Sequence, residues 1–340
     1  MTALVLHKLL AIFVTVALGW AAGRMRWLGA AGGSSDPART LGNAAFYIFV
    51  PALLFRTTAR LDLATMPWST VVAFFVPVLL LLLGVYSWAR WRGAGRVATD
   101  AAPDLAASER AAAAPSARAI AATFGNTVQV GIPVAAALFG EKGLGIHIAV
   151  VSVHALTLMT VLTVLAEIDI ARARAKHEAT AGLMRTLAAT VRNTIIHPVV
   201  LPVLAGLLWH ATGWPLPGAV DETLQLLGTA VAPLCLVLIG LALAYSNVAG
   251  AVGGAVLVSV LKLLVLPALV LVVAHWGFGL AGLPLQVIVL MAALPTGSNA
   301  LIFAQRYRSQ EVEATTTIVL STFGFVLTAP LWLAVLARIA

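Results

Sequence analysis

Charge is scarce in this sequence. Asp, Glu, Lys and Arg together make up 10% of the 340 residues, where a soluble domain carries about 25%. The single cysteine, Cys235, sits in an apolar run. That excludes a disulfide framework and a zinc-ligand spacing, and leaves Cys235 as a small packing residue. Alternation at the spacing of a membrane barrel does not recur. There is no His-Glu-x-x-His helix, no pair of aspartates inside an apolar segment, and no motif that aligns a serine with a base, so an intramembrane enzyme is disfavoured. No segment carries a repeated polar stripe, which counts against a channel. Nothing calls for a cofactor or a metal.

What is present is apolar length. Hydrophobic residues make up 61% of the chain and mean hydropathy is +0.99, distributed in segments of about 20 residues. The fold class is therefore an all-α polytopic membrane protein. Ten spans are expected at 3–22, 38–58, 68–91, 117–140, 144–166, 193–211, 222–245, 250–276, 284–305 and 312–337. The first resembles a signal peptide, with Lys8 before its apolar stretch and GWAAG after it, and is read as an uncleaved span. Polar stretches at 92–118 and 167–192 separate spans three and four, and five and six.

Lys and Arg sort to one side. The odd-numbered loops hold Arg24, Arg26, Arg39, Arg90, Arg92, Arg96, Arg110, Arg118, Arg172, Arg174, Lys176, Arg185, Arg192, Arg306 and Arg308. The other side holds Arg56, Arg60, Lys142 and Arg338. The positive-inside rule places the odd loops, including 167–192, in the cytoplasm and both termini outside it, in a multi-pass protein of the plasma (cell inner) membrane. The net charge of +8 then reflects topology and lipid headgroups rather than nucleic acid.

The 167–192 linker divides the chain into 1–166 and 193–340, each with five spans, so the halves insert in opposite orientation. TLGNAAFYIFVPALLF (40–55) is similar to TLQLLGTAVAPLCLVLIG (223–240). The fourth span, 123-TFGNTVQVGIPVAAALFG-140, carries Gly125, Gly131 and Pro133. The ninth, around 293-ALPTGSNALIFAQRY-307, carries Pro295 and Gly297. Inverted repeats with matching broken helices point to a secondary carrier with its site at the breaks. Proline frees backbone carbonyls, and in hydrocarbon these must be buried in protein or line a cavity. Asn126, Thr127, Gln129, Ser298 and Asn299 are placed either to satisfy them or to face substrate. Half-helix N-termini favour an anion. The plainer alternative is a pair of kinked helices whose amides bond neighbouring spans.

At these residues the chain resembles the auxin efflux carrier family. GNTVQVGIPVAAALFGEKG (125–143) and LPTGSNALIFAQRY (294–307) are similar to the family's fourth- and ninth-helix motifs. FYIFVPALLF (46–55) and NTIIHPVVLPVLAGLL (193–208) match its second and sixth helices. The resemblance implies ten helices in two inverted five-helix repeats, a fold shared with bile acid/sodium symporters, and broken helices 4 and 9 that cross at the site. It implies a scaffold of helices 1, 2, 6 and 7 and a transport domain of helices 3–5 and 8–10. A homodimer through the scaffold, an elevator motion, and a substrate carboxylate near Asn126 and Asn299 are also implied.

The 13 acidic residues fall in loops or at span ends, whereas Lys262 lies in mid-span. It is about 12 residues from either end, roughly 18 Å at the helical rise, too far for its stem to reach water. Such a residue faces a cavity or partner. Either it caps carbonyls opened by Pro267 or by a neighbouring broken helix, or it sets a positive charge beside an anionic substrate. His147 and His154, seven apart, share a helix face and are candidates for proton coupling if they are not simply bonded within the bundle. With no buried carboxylate for a cation, the chain reads as a carrier of small carboxylates. The alternatives are a substrate-sensing receptor on the same fold and a sodium-coupled symporter.

Overall fold

The computed structural model describes residues 3–29, 37–60, 66–97, 104–128, 130–177, 198, 200–245 and 251–339. Its helices are α1 (Ala3–Arg24), α2 (Pro37–Ala59), α3 (Trp68–Val97), α4 (Leu105–Thr123), α5 (Gly131–His177) and α6 (Val200–Ala211). They continue as α7 (Gly218–Tyr245), α8 (Val252–Gly277), α9 (Gly282–Ala293), α10 (Asn299–Arg306) and α11 (Glu311–Ile339). Six of them are long and apolar enough to cross a membrane: α2, α3, α5, α7, α8 and α11. The count falls short of ten partly because two expected spans are broken into pieces, α4 with the start of α5, and α9 with α10.

Two boundaries differ from the sequence expectation for local reasons. The stretch 92–118 is mostly helical, because α3 continues to Val97 and α4 begins at Leu105. Asp104 caps α4 by accepting the Ala107 N–H at 2.6 Å, satisfying a donor that the first turn leaves open. Helix α5 runs from the second half of span four through span five and on to His177, turning at Gly140 (φ 61, ψ −163). That left-handed φ is one a glycine adopts without a Cβ penalty. The linker is therefore helical at 167–177, and 178–192 lies outside the described residues, as do 193–197 of the expected sixth span.

The helices gather into two packed groups. In one, α1 runs along α7, and α2 lies against α6 and α7. A Cβ at Gly19 would meet the Val237 backbone, and one at Gly240 the backbone of Val16 and Trp20, so α1 and α7 touch main chain to main chain. Small residues permit this in a bilayer, where dispersion rather than water exclusion drives helix association. In the other, α4 packs between α3 and α5, and α8 lies against α11, α9 and α3. Trp27, Trp91, Trp214 and Trp276 are exposed at or just past helix ends, where indoles meet the headgroup level.

Proline widens α8. A π-helical turn at Leu261–Val265 precedes Pro267. Pro267 cannot donate to Leu263, the residue four before it, and the Leu263 carbonyl accepts instead from the Trp332 indole N–H of α11 at 2.8 Å.

Candidate functional site

Each break begins where a helix runs out of donors. α4 ends at Thr123, Phe124 is extended (φ −79, ψ 105), and α5 starts at Gly131. α9 ends at Ala293, Leu294 is extended (φ −57, ψ 150), and α10 starts at Asn299. Pro295 forces that conformation on Leu294 by crowding its backbone. Pro133 is the third residue of α5, in the first turn, where an N–H would have no intrahelical acceptor.

The two breaks meet. The Asn126 N–H donates to the Pro295 carbonyl at 2.7 Å and the Gly297 N–H to the Phe124 carbonyl at 2.8 Å, an isolated antiparallel bridge centred on Gly125 and Thr296. Two unwound segments thereby satisfy one another in a medium with no water to do it. A Cβ at Gly297 would press on the Gly125 carbonyl and the Phe124 ring, so this approach needs a glycine. A Cβ at Gly131 would overlap the His147 ring and Leu294.

The helix C-termini entering the crossing are capped by side chains. The Thr296 hydroxyl donates to the Ala121 carbonyl at 2.8 Å, one of those that the end of α4 leaves without an intrahelical donor. The Lys262 ammonium donates to the Ala292 carbonyl at 2.6 Å and is 1% exposed. Its Nζ would lie 3.6 Å from a Cβ at Gly125, directly behind the bridge. Lys262 thus serves the neighbouring broken helix, while Trp332 serves the carbonyl that Pro267 opens. The cation also offsets the negative end of the α9 dipole. The Thr296 N–H donates to Ser321 Oγ of α11 at 3.0 Å.

Asn126 (8% exposed), Thr127 and Ser298 are buried at the bridge, and Asn299 is half-buried as the first residue of α10. Gln129 lies outside the described residues. His147 Nε2 is 2.8 Å from the Thr127 carbonyl. Because a carbonyl only accepts, that nitrogen carries the hydrogen. His154 sits among Phe74, Phe75 and Phe124, its ring 4.6 Å from that of Phe124. The two histidines do share a face of α5, and both turn it to the break.

Sequence reasoning missed Thr296, Ser321 and Trp332, whose partners are remote in the chain. The sole local signal was a polar residue between Pro295 and Gly297. It also counted no carboxylate as buried, placing the acids in loops or at span ends, yet Glu313 and Asp169 are each 6% exposed. Arg118 meets Glu313 in two parallel bonds of 2.8 and 2.9 Å. Asp169 accepts from Tyr86 at 2.6 Å and pairs with Arg90 and Arg172. Both acids lie near helix ends and each is paired with arginine, away from the crossing. Among the described residues no three His, Cys, Asp or Glu side chains gather as a metal set.

Comparison with known proteins agrees on transport. A family model described as membrane transport protein matches residues 4–333. Auxin efflux carrier component 8 of Arabidopsis thaliana is 25% identical over 248 residues, covering 62% of this chain and 66% of that protein. An uncharacterized transporter of Methanothermobacter thermautotrophicus is 26% identical over 338 residues, 97% of this chain and 98% of the relative. The uncharacterized transporter YfdV of Escherichia coli K12 is 25% identical over 328 residues, 96% and 95% of the two chains. The chain thus spans just under two thirds of the plant carrier's length and nearly all of the two microbial proteins.

Proposed function

We propose, from the premise that this chain belongs to the membrane transport protein family, that it carries small organic anions through the crossing of its broken helices. It is a multi-pass membrane transporter of the auxin efflux carrier family rather than an enzyme. The substrate class, auxin-like monocarboxylates or small dicarboxylates, is our reading of the crossing. So is the assignment of Asn126, Thr127, Gln129, Ser298 and Asn299 to substrate, with Lys262 behind them.

One observation carries this reading: the electrostatics at the crossing are sorted by sign. The Thr296 hydroxyl and the Lys262 ammonium occupy helix C-terminal carbonyls. The half-helices α5 and α10 begin at the same crossing, with Asn126 before one and Asn299 opening the other. The first-turn N–H groups of both half-helices bond to carbonyls of the breaks themselves, from Asn126, Val128, Val130, Gly297 and Ser298, so it is the positive dipole ends and the neighbouring asparagines that suit a carboxylate. An organic cation would call for a carboxylate here, and none of the described acids lies at the bridge.

We read the chain as ten spans in two inverted repeats, 1–166 and 193–340, with α1, α2, α6 and α7 as scaffold and the remaining helices as the moving body. The half-helices that build the crossing, α4, α5, α9 and α10, pack mainly with α3, α8 and α11, which supports an elevator motion. A homodimer through the scaffold, a cytoplasmic 167–192 and extracytoplasmic termini in the plasma (cell inner) membrane complete the proposal. The Lys and Arg distribution supports the orientation.

Flux of radiolabelled benzoate and malonate into proteoliposomes tests it. Wild type moves at least one of them, and Asn126→Ala and Asn299→Ala lose that flux. Flux untouched by both substitutions overturns the site. Saturable binding without flux would favour a receptor, and flux that collapses when choline replaces Na⁺ would favour the sodium-coupled alternative.

A further inference from the structure

At the far end of α10 from the crossing, Gln305 and Arg306 face α2. The Arg306 guanidinium sits in a corner made by two perpendicular rings, 5.3 Å from the centroids of both Phe46 and Tyr47. Its Nε is enclosed and has no hydrogen-bond partner, and the same holds for Gln305 Oε1. A Cβ at Gly42, one turn before Phe46, would overlap that amide oxygen, so Gln305 lies directly on the α2 main chain.

An enclosed donor of a permanent cation is costly to leave unpaired, yet no carboxylate pairs with Arg306 among the described residues. The two rings support the charge through their faces and consume none of its N–H groups. The guanidinium is therefore held in place; Nε is enclosed, and the remainder of this half-buried group is what an oxyanion can reach, with a planar geometry that matches it.

We propose that Arg306, with Gln305 beside it, is a second anion site, a docking station for a small carboxylate between α2 and α10. It is distinct from the crossing: Arg306 lies seven residues from Asn299, about 10 Å along the helix. The choice of a carboxylate rests on the anion-carrier reading above, whereas the geometry of the site does not. Because Phe46, Tyr47 and Gly42 belong to α2, in one packed group, and α10 also packs on α4 and α11 of the other, an anion here bridges the two bodies and is released or handed on when they slide.

Phenylglyoxal, which modifies guanidinium groups, tests this on the purified full chain in nanodiscs, read by peptide mass spectrometry. Benzoate or malonate is expected to slow labelling of Arg306 by roughly tenfold relative to chloride at equal ionic strength, the factor one charge-assisted hydrogen bond provides. Exposed Arg308 should label at an unchanged rate. The protection should persist in an Asn126→Ala, Asn299→Ala double variant. Equal labelling with and without both carboxylates overturns the site. Protection that vanishes in the double variant also overturns it, since Arg306 would then be reporting occupancy of the crossing. Protection in a chain that moves neither anion keeps this site and removes the carrier reading.

Discussion

The Lys262 ammonium reaches the Ala292 carbonyl, 30 residues away in sequence, at 2.6 Å. A full charge in an apolar helix is thereby joined to the C-terminal end of a half-helix that would otherwise stop in hydrocarbon. Replacing Lys262 by methionine keeps the bulk of the stem and removes the donor. Lys262→Met should destabilise the protein by about 1–3 kcal/mol, the cost of an unsatisfied buried acceptor, and abolish transport. A melting temperature in detergent equal to wild type would show that the carbonyl finds another donor.

Thr296 does comparable work for the other break, through its bond to Ala121 of α4. Thr296→Val keeps the β-branched shape and loses the hydroxyl. The expected loss is again about 1–3 kcal/mol, while Thr296→Ser, which keeps the donor, should stay closer to wild type. Thermal unfolding of the two variants side by side separates the hydrogen bond from packing.

Glycine at 297 is required by contact, and glycine at 84 is not. A Cβ at Gly297 meets the Gly125 carbonyl, whereas one at Gly84 in α3 meets nothing within 4 Å. Gly297→Ala should open the bridge and stop flux. Gly84→Ala should leave flux unchanged and raise stability slightly, by up to about 1 kcal/mol from helix propensity. Equal flux in the two variants would remove the bridge from the mechanism.

Arg118 and Glu313 tie α4 to the first turn of α11. With Arg118 about a quarter exposed, solvent weakens the pair relative to a fully enclosed one. A double-mutant cycle of Arg118→Met and Glu313→Gln should give a coupling of about 1 kcal/mol. A cycle that closes at zero would make the pair incidental.

The breaks were legible because proline and glycine act locally: Pro133 and Pro295 disrupt helix wherever they stand. Their pairing was legible because two of the expected spans, the fourth and the ninth, each carry an interruption with proline, glycine and asparagine. The helical run before Arg118 was not, since an alanine-rich stretch with scattered charge reads as loop until the Asp104 cap is noticed. The partner of Lys262 was also hidden. Sequence shows that a mid-span ammonium needs an acceptor, but an acceptor on another helix is fixed only by packing. The buried acids were misjudged for the same reason, because Arg118 and Glu313 are 195 residues apart.

The bridge between the breaks also sets an order of events during synthesis. Thr296 bonds to a carbonyl 175 residues earlier, and the Phe124 carbonyl and Asn126 N–H pair with Gly297 and Pro295, so these groups lack their partners until the later segment has been made. Long-range closure of this kind is slow to form. Until then three polar groups of the earlier break, the Ala121 and Phe124 carbonyls and the Asn126 N–H, wait for partners that only the later segment supplies.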